Sequence, residues 1–265
     1  MMIKYFVGLC LLTLACAGHV KEDIKETIYV AKEQRPLYDR DLFLYELLQQ
    51  ALDAADYDVN IEHVKVHPHQ QRTLMALNKG HVDLHWSMTS PAREKLAIAV
   101  KFPLFDGLIG KRVLIIHKAQ YERFRRVTEL AQLSRFIAVQ GHDWPDTKIL
   151  SSNGLNVKPI VNYQAMFDMV MKKKADYFPR SIVEAQSELI NQNNNELMIV
   201  PDYYLSYPAR FYFFVNKDKA ELAEKLELGL SKLKSSGAYN ELLQRYFDLH
   251  ILANSHMLPL SNPFE

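Results

Sequence analysis

The sequence predicts an α/β protein folded as two lobes, and three observations carry that prediction. Short apolar runs alternate with amphipathic stretches, so strands and helices follow one another along the chain. The alternation runs through two successive blocks, the second beginning after "LIGKRVLIIHK". Two extended apolar segments, near Gly107 to Arg112 and Tyr207 to Phe211, then join the blocks and leave a cleft between them. At 265 residues the chain is long enough for one large domain or two such lobes.

The first segment stands apart. Lys4 precedes "YFVGLCLLTLA", an apolar run too short to span a bilayer and followed by small residues. Residues 1–17 therefore read as a signal peptide, with Ala15-Cys16-Ala17 as the cleavage site and a freely soluble periplasmic product. A lipoprotein box, Thr13 to Cys16 with Cys16 lipidated, is the alternative, although that box normally carries an aliphatic residue where Thr13 stands. Cys10 and Cys16 are the only cysteines, and both lie in this leader. The exported body is thus without disulfide, thiol nucleophile or thiolate metal site.

The body then reads in order. "TIYVA" (Thr27 to Ala31) is a strand, and Asp41 can cap a helix with Leu44, Leu47, Leu48, Ala51 and Leu52 at three- and four-residue spacing. "VNIEHVKV" alternates as a strand, "RTLMALNKG" is a helix closed by Gly80, and "VDLHWSM" is a further strand. The order βαβαβ implies a sheet with helical crossovers. In the second block, strands fall near Phe136 to Val139 and Lys158 to Val161, and Thr147 to Leu150 forms a short helix ended at Asn153-Gly154. The helix "QAMFDMVMKKK" and the run "ADYFPR" follow. "LMIVPDYYLSYPARFYFFVNK" is rich in strand formers but broken by Pro201 and Pro208. The C-terminal part is helical, with Gly237 dividing two leucine-rich stretches.

Composition narrows the function. Apolar residues make up 48% and charged residues 24%, which is ordinary for a globular protein. A formal net charge of +1 lacks the basic excess of a nucleic-acid binder, so no nucleic-acid partner is expected.

The exported chain, the early βαβ order, "ALNKGHVDLHWSMTSPAREK" and "FPLFDGLIGKRVLIIHK" together resemble bacterial solute-binding proteins of family 3, which have the type II periplasmic-binding fold. The likeness runs from about Thr27 to Asp248. It implies lobe 1 from residues 24–110 and 210–252, lobe 2 from 111–209, and a C-terminal tail at 253–265. Each lobe would be a mixed sheet flanked by helices. The stretches "QGHDWPDTKILSSNG" and "MFDMVMKKKADYFPR" resemble a branch of the family apart from the typical amino-acid binders.

The resemblance also supplies site residues. In amino-acid-binding relatives an arginine after "SMTSPA" grips the ligand carboxylate, assisted by a preceding hydroxyl, and the match gives these roles to Arg93 and Thr89. The physics is sound, because a guanidinium pairs with a carboxylate through two parallel charge-assisted bonds. Pro91 in the first turn makes Thr89 or Ser90 an N-cap. Alternatively Arg93 only bridges to an acid such as Glu94 or Asp106. Where the relatives carry an acid for the ligand ammonium, this chain offers Arg180, with Glu184 one helical turn on. Either Arg180 faces the ligand, which favours a more anionic or polar solute, or it forms a structural ion pair with Glu184.

The run Gln140, His142, Asp143 and Trp144 stands where a strand hands over to a helix, the place where this fold contacts its ligand. Trp144 and Trp86 offer faces for stacking, Asp143 accepts donors, Asp146 suits a helix cap, and His142 reads as a loop hydrogen-bonder. The histidines His63, His67 and His69 share strand parity, but no ligand spacing accompanies them, so no metal and no cofactor are expected. The sequence holds no nucleophile elbow, no His-Glu-x-x-His and no phosphate loop. The expectation is a monomeric, non-enzymatic periplasmic protein that closes on a small polar or anionic solute for an ABC permease. A sensing module for a membrane signalling protein, or a dehydratase-like enzyme on the same fold, is the alternative.

Overall fold

The computed structural model describes residues 25–33, 36–66 and 69–264. The leader, with its cleavage site and both cysteines, lies outside the described residues, as does His67. In chain order the elements of the first lobe are β1 (Thr27–Glu33), α1 (Asp39–Ala54), β2 (Asn60–Val66), α2 (Gln70–Asn78), β3 (Leu84–Met88), α3 (Pro91–Glu94) and β4 (Ile98–Ala99). Then follow β5 (Lys111–His117), the single turns α4 (Tyr121–Phe124) and α5 (Leu130–Leu133), β6 (Ile137–Gly141), α6 (Pro145–Ser152), β7 (Asn156–Ile160), α7 (Tyr163–Met171), β8 (Tyr177–Ser181), α8 (Ile182–Gln192), β9 (Leu197–Ile199) and β10 (Tyr203–Ser206). The chain returns through β11 (Phe211–Val215), α9 (Ala220–Ser236) and α10 (Ala238–Tyr246), and ends with β12 (His256–Pro259).

Two sheets result. The first has the order β2-β1-β3-β11-β4, and the second β12-β10-β5-β8-β6-β7 with β9 also paired to β5. In the first, β1 runs parallel to β2 and β3, whereas β11 arrives from the far end of the chain and pairs antiparallel to β3 and β4. In the second, β6 runs parallel to β7 and β8, and β5 lies antiparallel to β8. This is the mixed, two-lobed α/β architecture that the sequence predicts.

The local reasons are plain. In β1, Ile28 and Val30 are buried while Tyr29 is exposed, the two-residue period of a strand with one covered face. In α1, Phe43, Leu44, Leu47, Leu48, Ala51 and Leu52 form one buried stripe. Full burial of each large side chain contributes about 2 kcal/mol. Asp41 is not the cap residue: it lies one turn inside the helix and accepts from the Tyr38 N–H at 3.1 Å. β5 is buried along six of its seven residues, and a strand covered on both faces needs such a continuous apolar run.

α8 has no counterpart in the sequence prediction. Its polar text, "IVEAQSELINQ", hides the helical period, but the capping pair does not. The Ser181 hydroxyl accepts from Val183 N, and Glu184 Oε2 accepts from the Ser181 N–H at 3.1 Å. β12 lies within 253–265, the stretch read as a tail, and pairs parallel to β10 in the second sheet.

The two crossing segments touch. Tyr207 N donates to Gly110 O at 3.2 Å. A Cβ at position 110 would stand 2.1 Å from the Tyr207 carbonyl oxygen, so only glycine lets the strands pass this closely.

Candidate functional site

Between the lobes lies a cavity of about 700 Å³. Tyr38, Arg40, His69 and Gln70 line it from the first lobe; Asp143, Trp144, Asn162, Tyr163, Arg180 and Glu188 are among those lining it from the second. Behind it a void of about 30 Å³ is bounded by Arg40, Arg112, Asp146, Arg180 and Glu184.

The floor is an ion network built from both lobes. Glu184 accepts from Arg40 Nη1 at 2.5 Å, from Arg112 Nη1 at 3.2 Å, and lies 3.0 Å from Arg180 Nη2. Arg180 also makes a two-pronged pair with Glu188, at 2.7 and 2.6 Å. Arg112 pairs with Asp146 at 2.5 Å, and the Tyr207 hydroxyl donates to the same carboxylate. Arg40 reaches Asp41 at 3.0 Å. All these charged groups are buried. Burial alone would raise the Glu184 carboxyl, but Arg180, Arg40 and Arg112 outweigh it and hold the group down at about 2. Burial would likewise weaken the Arg180 guanidinium, and Glu184 and Glu188 reverse that, pushing its proton affinity well up.

Arg180 therefore takes the structural ion pair with Glu184, and it borders the cavity as well. Its guanidinium lies 4.9 Å from the centre of the Trp144 ring, which stacks in turn near Phe178. Trp144 folds over Gly141, where a Cβ would come within 2.4 Å of the indole. Trp144 also occupies the cap position of α6, ahead of Pro145. Asp146, read as that cap, is instead drawn under the helix by Arg112.

Arg93 behaves differently. Ser90 caps α3 and Pro91 opens it, which sets Arg93 in the turn after β3. Nη1 donates to the Ser87 hydroxyl at 2.5 Å and the Met88 carbonyl at 3.0 Å. Nη2 crosses the cleft to the Asp143 carbonyl at 2.9 Å. These acceptors are all neutral. Burial without a contacting carboxylate lowers its proton affinity to about 10, with Asp143 and Asp146 acting only at longer range. Asp143 also accepts from the Gln71 N–H of the first lobe at 3.1 Å, so two bonds tie this residue across the cleft.

The remaining sequence candidates disperse. Thr89 donates to Glu94 at 2.7 Å, beside a separate cavity of about 170 Å³. Trp86 is buried inside the first lobe against Tyr45 and Phe213. Gln140 is fully buried in β6, donating to the Pro179 carbonyl. His142 is exposed and is not among the chamber's lining residues, its ring 5.1 Å from that of His69 on the opposite lobe. Asp143, Trp144 and Arg180 thus line the chamber, and Glu184 stands directly behind it.

Several chamber residues had no sequence candidate: Tyr38, Arg40, Gln70, Asn162, Tyr163 and Glu188. For Arg40 a signal existed, because a cation in the first turn of a helix opposes the helix dipole and asks for a partner. For Glu188 the signal is its spacing, one helical turn beyond Glu184 on the same face of α8.

This arrangement defines a two-lobed protein with a solute-sized chamber between its lobes. Among solved structures, the chain is similar to an arginine-specific periplasmic binding protein of Salmonella typhimurium, at 16% identity and TM-score 0.62, covering 84% of this chain and 100% of that one. It is also similar to a GluR0 ligand-binding core in complex with L-glutamate, at 12% identity and TM-score 0.65, covering 86% and 100%. A third is an ancestral amino-acid-binding protein, a precursor of cyclohexadienyl dehydratase, at 14% identity and TM-score 0.60, covering 84% and 95%. No family model and no curated protein matches the sequence. At these identities the likeness establishes the type II periplasmic-binding fold. It also corrects the expectation of a branch apart from the amino-acid binders, since the matched folds are those of amino-acid-binding proteins themselves.

Proposed function

We propose that this chain is a periplasmic solute-binding protein that closes its two lobes on a small polar solute and presents it to an ABC-type uptake permease. One observation carries the reading: a chamber of about 700 Å³ lined by side chains of both lobes, a volume suited to a small molecule. Chamber walls drawn from two lobes make binding and closure the same event. The fold it shares with amino-acid-binding proteins, including one named as periplasmic, supports the reading.

Tyr38, Trp144 and Tyr163 give the chamber apolar faces, while Gln70, Asn162 and Asp143 give it hydrogen-bonding edges. Arg93 serves by holding Asp143 across the cleft, so it couples closure to the chamber wall. The carboxylates of the floor are engaged by guanidinium groups, which suits holding a shape. The test is a thermal-shift screen of the exported protein against sugars, amino acids, carboxylates and amines, with the mass of the bound compound followed. A raised melting point with the compound recovered unchanged is expected. Conversion of the compound, or no shift with any class, contradicts the reading.

A further inference from the structure

The ion network says which net charge the solute can carry. Four arginines, Arg40, Arg93, Arg112 and Arg180, meet at the cleft; Asp41, Asp146, Glu184 and Glu188 pair with three of them, and the Asp143 carboxylate lies at longer range from Arg93. The carboxylates are in excess. Glu184 occupies the point where three guanidinium groups converge from both lobes, the place that an anionic ligand would otherwise take. Its depressed protonation keeps that internal anion charged across the ordinary pH range. The void left among these groups, about 30 Å³, is about the share of one water molecule.

Asp143 is the exception within the chamber. Its carboxylate accepts one backbone N–H and lies 3.8 Å from His142 Nδ1. It retains acceptor capacity on a chamber wall. An anion entering here would meet an acid whose charge is only partly offset and three arginines already paired with carboxylates, while Arg93, held by neutral acceptors, is not among the residues lining the chamber. The cost rises as the cleft desolvates.

We propose that the chamber takes a solute without net negative charge, that Asp143 receives a hydrogen-bond donor or cationic group of that solute, and that Glu184 is an internal anion filling the arginine cluster. This rests on the solute-binding reading and narrows it to the polar rather than the anionic class.

The test is calorimetric titration with sodium succinate and sodium sulfate, against sodium chloride of equal ionic strength, of the wild type, Glu184→Gln and Asp143→Asn. Glu184→Gln removes the internal anion and frees guanidinium donors. Asp143→Asn removes one negative charge while keeping an oxygen for the Gln71 N–H, so it remains informative if Glu184→Gln does not fold. The expected result is no saturable binding by the wild type and an affinity gain of about tenfold or more for at least one anion in the variants, most in Glu184→Gln. Saturable binding of either anion by the wild type, as tight as by the variants, overturns the proposal. Failure of every folded variant to bind either anion overturns it too. A thermal-shift screen in which no compound binds would instead defeat the solute-binding reading, so the two failures are distinguishable.

Discussion

Arg93 and Arg180 are equally buried, and they lead opposite lives. Each is about 3% exposed and each stands beside the cleft, one in the first lobe and one in the second. Arg180 rests on two carboxylates of its own lobe and holds its proton more strongly than usual. Arg93 has only hydroxyl and carbonyl acceptors, one of them on the opposite lobe, and holds its proton less strongly. Burial therefore does not decide what an arginine does; the position of its partner does. A partner in the same lobe makes a structural strut. One across the cleft makes a group whose bonding changes when the lobes move.

The largest expected effect belongs to the strut. Glu188→Ala leaves Arg180 buried with half its counter-charge, and breaking a buried pair in this way costs about 3–5 kcal/mol. Urea unfolding measures it, and a loss under about 1 kcal/mol would show that the second-lobe network is not structural. The same network sets the acid limit. Glu184 has a folded value near 2 against an ordinary 4.5, so its contribution is fully present above the ordinary value and drains away as pH falls toward 2. Stability measured between those limits should fall steeply in the wild type and less in Glu184→Gln.

Arg93→Lys comes next. A lysine ammonium cannot span Ser87, Met88 and the opposite lobe at once, so solute affinity should drop by an amount on the order of 2 kcal/mol with little change in unfolding. Equal affinity by titration would remove Arg93 from the closure mechanism. The smallest effect falls on Ser87→Ala, which deletes one neutral acceptor from Arg93 and costs about 1 kcal/mol. Were it to cost as much as Glu188→Ala, the contrast between the two arginines would collapse.

The fold was more legible than the site, for a physical reason. Strands such as β1 and helices such as α1 announce themselves by local period, because a sheet or helix buries one repeating face. β11 is equally readable as a strand, yet nothing local says that it joins the sheet of β3, over a hundred residues back. The cleft is assembled from such distant pieces. Asp143 and Trp144 were found because a strand-to-helix turn projects side chains toward the opposite lobe, and Arg180 because its stretch resembles the place where amino-acid binders carry an acid. Trp86 and Thr89 lie one and four residues from cleft-facing Ser87 and Arg93, but strand alternation and the α3 turn send them elsewhere. Tyr38 and Tyr163 sit at helix starts whose text reads as ordinary amphipathic surface, and only the packing of α1 opposite α7 and α8 turns them into chamber walls.

Closure on a solute is tested most directly by small-angle scattering on the purified protein, alone and saturated with whichever compound the thermal-shift screen identifies. Rotation about the segments that meet at Gly110 and Tyr207 should reduce the radius of gyration on binding, and Arg93→Lys should need more solute to reach the same reduction. A profile unchanged at saturation, with binding confirmed by titration on the same sample, would contradict the account of a two-lobed protein that closes on its ligand.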